Sequence, residues 1–146
     1  MFLNTDFLYD DEIKLVLKYT YIGNASKQLV PGYRFFICDH GGKESGICDL
    51  RIGHNGRTYF GGNIGYEIYE PYRGHHYAAK ACRLLFELAR KHDLGYVLIT
   101  CNPANIASRK TCERLGCQFL GEVDLPADHE LRRDGRIRQC IFRVDL

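Results

Sequence analysis

Apolar and polar residues alternate along several stretches of this chain, and two later stretches repeat them with a different period. Residues 12–20, EIKLVLKYT, alternate as a half-buried β-strand does, because successive strand side chains point to opposite faces. YRFFIC (33–38), GICDLRI (46–52) and NIGYEIY (63–69) read as three further strands. NASKQLVPG joins the first two as a short turn-rich link, and DHGGKES turns between the next two. Asn-Gly within GHNGRTYFGG predicts a hairpin between the third and fourth strands. Gly61, Gly62 and Gly65 along the fourth suggest a bulge or a close backbone approach.

From about 77 to 92 the period becomes helical. Ala78, Ala81, Cys82, Leu85, Leu88 and Ala89 share one side, and Lys80, Arg83, Glu87, Arg90 and Lys91 share the other. YVLITC (96–101) is a continuous apolar run, the pattern of a central strand buried on both faces. NPANIASRKTCERLG reads as a second helix, which Asn102 or Asn105 can cap and Gly116 can stop. CQFLGEVDL and IRQCIFRVDL supply two last strands across a charged loop. The order β-β-β-β-α-β-α-β-β predicts an α+β fold: one mixed, twisted sheet of six to seven strands with a central β-α-β crossover. Residues 1–146 read as a single domain, without repeats or a linker.

Composition narrows the function classes. With 20 basic and 18 acidic residues the net charge is +2, which favours no nucleic-acid or membrane partner. RRDGRIR (132–138) is the one basic cluster, and it reads as a solvated hairpin rather than a phosphate patch; a nucleic-acid-binding domain would rest on its four arginines alone. No apolar run approaches the roughly 20 residues of a membrane span, and the start lacks the pattern of a secretory signal. The seven cysteines are odd in number and form no CxxC pair, which suits reduced thiols in a cytoplasmic protein. Cys101, Cys112 and Cys117 with His75 and His76 match no metal-ligand spacing, so no metal is expected.

The chemistry concentrates at RGHHYA (73–78), where a strand hands over to a helix. A helix start leaves backbone N–H groups unpaired and carries partial positive charge, so the turn can hold a phosphate, helped by Arg73 and Lys80. Two ordered motifs make the pattern specific. RGHHYA resembles the acetyl-CoA signature of the GNAT superfamily of N-acetyltransferases, Gln/Arg-x-x-Gly-x-Gly/Ala, through Arg73 and Ala78. NPANIASRKTCERLGCQF resembles its second signature, with Asn105, Ser108, Glu113 and Gly116 in register. The resemblance covers about residues 33 to 123 and is nearest to the ribosomal-protein-alanine acetyltransferase-like subgroup.

It implies an acetyl-CoA-dependent N-acetyltransferase acting on a primary amine of a protein or small molecule by direct attack. It implies that Ile64, Tyr66, Arg73, Gly74, His75, His76, Tyr77, Ala78, Asn105 and Ser108 bind the cofactor. Glu67 is the first candidate base, ahead of Asp49 and His54, while Asn63 occupies the region where relatives carry a glutamate. Ser108 is the candidate proton donor to the leaving thiolate, with Cys112 standing where many relatives have tyrosine. His76 replaces a usual glycine, and must adopt a backbone geometry that leaves the main-chain N–H groups free. The link between the first two strands is shorter than in many relatives, which leaves the acceptor side open or covered by another subunit. The alternative reading is a non-catalytic acyl-CoA-binding or regulatory module. Edge strands at both ends of the chain make a homodimer a reasonable assembly.

Overall fold

A computed structural model describes all 146 residues. Seven strands form one sheet: β1 (Ile13–Tyr21), β2 (Gly32–Asp39), β3 (Glu44–Arg51), β4 (Ile64–Ile68), β5 (Tyr96–Cys101), β6 (Gln118–Asp124) and β7 (Arg138–Asp145), in the order β1-β2-β3-β4-β5-β7-β6. Every neighbouring pair is antiparallel except β4 and β5, which are parallel as the crossover requires. The three helices are α1 (Gly56–Gly61), α2 (Tyr77–Lys91) and α3 (Ile106–Arg114).

Each element follows from its side chains. β5 is central and apolar on both faces; Val97, Leu98, Ile99 and Cys101 are all buried. The buried stripe of α2 runs through Ala81, Cys82, Leu85, Leu88 and Ala89 as the periodicity requires, with Ala79 more buried than Ala78. That stripe packs on Tyr33, Phe35, Ile37, Cys48, Leu50 and Ile64, which share one sheet face by their alternation. α2 and α3 cover this face, and α1 lies on the other against β5 and β7. No helix is long and apolar enough to cross a membrane.

The expected Asn-Gly hairpin is replaced by α1. Asn55 has an extended backbone (φ −156°), and its side chain accepts hydrogen bonds from Thr58 N (2.9 Å) and Thr58 Oγ1 (3.0 Å). Asparagine caps helices as readily as it builds tight turns, so the dipeptide alone could not separate the two. β3 and β4 remain antiparallel neighbours across the longer connection. In the basic segment 132–138, where the sequence predicts a hairpin, Glu130–Asp134 form a short 3-10 turn and Arg138 pairs with Glu122 (2.8 Å) and Asp124 (3.2 Å). All seven cysteines are free thiols, six of them buried.

β4 and β5 touch at a single register pair, Ile64 with Ile99, and part from Gly65 onward. Buried Asn63 holds them at the base of this gap. Its amide N–H donates to Leu98 O (2.7 Å), its Oδ1 accepts from Leu98 N (2.9 Å), and its Nδ2 donates to Arg51 O and Gly53 O.

Candidate active site

The gap between β4 and β5 opens toward the starts of α2 and α3. α2 begins without a side-chain cap, and its preceding residue, His76, has φ 62° and ψ 25°. This left-handed geometry is one that glycine adopts freely and histidine at a cost of order 1 kcal/mol. It turns the chain sharply into the helix, so the amides of Tyr77, Ala78 and Ala79 find no acceptor within the protein. Gly74 also has positive φ (93°), and a Cβ there would meet nothing within 4 Å. The turn is therefore an exposed cradle of backbone donors at the positive end of a 15-residue helix.

Around the cradle, the Arg73 guanidinium is fixed by its Nε donating to Ile68 O (2.9 Å). His75 is exposed and stacks on Tyr77, with ring centroids 5.3 Å apart. Lys80 is not a free cation for the cradle: Asp10 (3.7 Å), Asp11 (3.4 Å) and Glu12 (3.3 Å) surround its amine. The first turn of the sequence ties it down, a contact 70 residues away that helical periodicity cannot reveal.

Across the gap, Asn105 caps α3 by accepting from Ser108 N (3.1 Å). The Ser108 hydroxyl is thereby left for another partner, and it meets the Tyr66 hydroxyl at 2.6 Å. Tyr66 points from β4 to the α2/α3 face, so this bond spans the parted strands. Burial pushes the Tyr66 phenol well above its ordinary value, so it stays protonated. Cys112 is fully buried beside Cys117, and the neighbouring thiol and burial hold it protonated, far above the usual thiol range. Ile64 lines the base of the gap from the core side. No three potential metal ligands cluster anywhere in the chain.

The opposite face of the sheet carries the carboxylates, Asp49 on β3 and Glu67 on β4. Glu67 is exposed there, opposite Ile47 on β3, whereas Asp49 is only 6% exposed, opposite Gly65. A Cβ on Gly65 would lie 2.7 Å from Asp49 Oδ1. Gly65 is thus a close approach rather than a bulge. Arg51 (3.1 Å) and Arg34 (3.9 Å) pair with Asp49, and the Tyr21 hydroxyl sits against it. Burial raises the Asp49 carboxyl above its ordinary value despite these partners. His54 lies at the far end of β5, stacked on Tyr96 at 4.0 Å, so it is remote from the gap. Beside Tyr21 and Arg51 lies a pocket of about 350 Å³, walled by the β1–β2 link, α1 and the β6–β7 link.

The acetyltransferase (GNAT) domain model matches residues 10–118, three quarters of the chain. The chain belongs to the GNAT acetyltransferase family. No curated protein sequence matches it. Solved GNAT structures share the fold. The microcin self-immunity acetyltransferase MccE, in complex with acetyl-CoA and AMP, aligns over 79% of this chain and 61% of its own at 21% identity and a TM-score of 0.61. RimL, a ribosomal-protein alpha-N-acetyltransferase in complex with coenzyme A, aligns over 79% and 62% at 17% identity and 0.62. An enzyme from Salmonella typhimurium that modifies the N-terminal serine of a ribosomal subunit protein aligns over 79% and 64% at 16% identity and 0.59. The chain thus spans just over three fifths of the length of these GNAT proteins, and at such identities the likeness is one of fold.

Two contacts of the candidate site were not legible beforehand. Tyr66 appeared only as a cofactor contact, because its serine partner lies 42 residues later. Tyr21 carried no motif at all; its only sequence signal is Gly32, where any side chain would collide with the Tyr21 ring and hydroxyl.

Proposed function

We propose that this protein transfers an acetyl group from acetyl-CoA to a primary amine by direct attack. The observation that carries the reading is the parted β4–β5 pair with an uncapped helix start at its mouth. A parted strand edge offers main-chain groups to an extended amide-bearing chain, and the α2 amides offer donors to a pyrophosphate. Pantetheine and pyrophosphate have that chemistry in that order. The relatives solved with acetyl-CoA or coenzyme A support the same occupant.

In this reading Tyr77 and Ala78 amides hold the pyrophosphate, Arg73 adds charge, and Gly74, His75 and His76 shape the turn. Ile64, Tyr66 and Asn105 bound the pantetheine arm. As the amine nitrogen bonds to the thioester carbon, the carbonyl electrons move to oxygen, and an N–H donor on β4 can receive that charge. The C–S bond then breaks, and Ser108 gives its proton to the thiolate while the Tyr66 hydroxyl, 2.6 Å away, passes it a replacement and is itself reprotonated from solvent. The amine proton needs an acceptor on the other face. Asp49 and Glu67 both lie there; Asp49 is the preferred one, because it is buried, held in place and adjacent to Gly65, whereas Glu67 is exposed and bonds to nothing.

Differential melting tests the cofactor half. A ligand at 100 times its dissociation constant stabilises the folded state by about 2.7 kcal/mol, or roughly 5–10 °C for a chain of this size. Coenzyme A should produce that shift and pantetheine far less. Thiol release from acetyl-CoA in the presence of primary amines tests the transfer half. An unmoved melting curve at saturating coenzyme A refutes the reading; binding without thiol release from any amine favours the non-catalytic module.

A further inference from the structure

We infer that the pocket beside Tyr21 is the acceptor site, that it takes a primary amine on a compact apolar body, and that Tyr21 relays the amine's proton to Asp49. This inference rests on the acetyl-transfer reading above.

Position is the first argument. Arg51 lines the pocket, and one of its Nη atoms lies 3.4 Å from where a Gly65 Cβ would stand. Gly65 is the first residue at which β4 leaves β5. The pocket therefore adjoins the gap from the face opposite Ser108, so nucleophile and leaving group would approach from opposite sides of the sheet.

Charge is the second. The pocket holds two arginines, and each is charge-paired with a carboxylate. Arg51 bonds Asp49 (3.1 Å) and the carbonyls of Gly61 (3.1 Å) and Gly62 (2.7 Å). Arg57 pairs with Glu130 at 3.2 Å, which also ties α1 to the β6–β7 link. Each cation's charge is thus already matched by a carboxylate, which disfavours a phosphate or nucleotide even though the buried Arg57 Nε keeps one N–H without a partner, and with no unpaired carboxylate the pocket has nothing to hold a polycation. Leu29, Val30 and Leu131 supply apolar wall instead. A volume of about 350 Å³ is at the small end for ligand pockets.

Proton path is the third. Asp49 does not itself line the pocket; Tyr21 does, and its hydroxyl sits against the Asp49 carboxylate. Gly32 leaves room for the Tyr21 ring to lie across the strand, and Gly65 leaves room for the carboxylate. The amine attacks, its nitrogen becomes cationic, and one N–H proton passes to the Tyr21 oxygen as the Tyr21 proton passes to Asp49. Asp49 later releases that proton to solvent. The balance is acetyl-CoA plus amine giving acetamide plus coenzyme A thiol. Burial beside Asp49 pushes the Tyr21 phenol up to about 12, so it serves as a conduit and not as a standing base.

The test uses the full chain with acetyl-CoA and two amines, leucinamide and spermidine, read by thiol release. Leucinamide should be acetylated and spermidine at least tenfold less efficiently. Tyr21→Phe, which keeps the ring, should lower kcat by tenfold to a hundredfold while the melting shift with coenzyme A stays unchanged. Leu29→Trp, at an exposed wall position, should raise KM for leucinamide with little change in kcat. The wild-type rate should rise with pH through a limb above the ordinary carboxylate range near 4, and Asp49→Asn should remove that limb. The groups facing Asp49 are Tyr21 on β1, Arg34 on β2 and Arg51 on β3. Wild-type turnover in Tyr21→Phe, a loss confined to Glu67→Gln, or a preference for spermidine overturns the inference while leaving cofactor binding intact. Failure of coenzyme A to shift melting sinks the acetyl-transfer reading first.

Discussion

Adding one methyl group at Gly65 should disturb the protein well beyond one methyl's worth of volume. The new Cβ would stand 2.7 Å from Asp49 Oδ1, 3.4 Å from an Arg51 Nη and 3.6 Å from the Asp49 carboxyl carbon. The carboxylate has little room to retreat, because it is 6% exposed and held by Arg51, Arg34 and Tyr21. Overpacking of this kind costs about 1–3 kcal/mol. A chain of this length loses about 2–4 °C per kcal/mol, so Gly65→Ala should melt about 2–12 °C lower. The penalty should depend on Asp49. In a double-mutant cycle the added methyl should cost far less in an Asp49→Ala background, giving a coupling of at least about 1 kcal/mol. Denaturant unfolding monitored by circular dichroism reads all four corners of the cycle. Equal costs of Gly65→Ala in both backgrounds would refute the contact as the cause, and a neutral Gly65→Ala would refute the crowding altogether.

Three further outcomes follow from other sites. His76→Gly should relieve a left-handed histidine at φ 62°, offset by the greater freedom of an unfolded glycine, for a net gain of up to about 1 kcal/mol by thermal melting. Ser108→Ala should slow thiol release while leaving the coenzyme A melting shift in place, whereas Cys112→Ala should lower stability through a cavity in the core with little change in rate. Burial lowers the His54 and His92 pKa values, so both fold as neutral rings and the unfolded chain binds more protons. Stability should therefore fall as pH drops below about 6.5, and the fall should flatten in His92→Gln by acid titration of the melting temperature.

Much of the architecture was legible because it depends on local periodicity. Residues 96–101 could only be a central strand, and the stripe from Ala81 to Ala89 could only be a helix face. The short α1 was hidden because Asn55 and Gly56 satisfy the chemistry of a tight turn and of a helix cap equally well. The cofactor side of the candidate site was legible for a different reason: a strand, a turn and a helix start are contiguous in sequence. The proposed acceptor side was legible only through Asp49, a second candidate base beside Glu67. Tyr21, Asp49 and Glu130 come from three separate links and strands, and only the register of β1 through β4 sets the first two side by side. Gly32 and Gly65 gave the faintest trace of that arrangement, since a strand interior rarely wastes a position on glycine unless something else needs the space.

The lone Ile64–Ile99 pair gives the sheet a seam. On one side of it four strands form a continuous antiparallel meander; on the other, β5, β7 and β6 form a second panel. The hinge between the panels is little more than one ladder rung and the Asn63 side chain. A cofactor seated in the gap would therefore act as a strut as well as a reactant. A chain seated there would lend β4 the hydrogen bonds that β5 withholds, and the two panels would stiffen into one sheet for as long as it stayed.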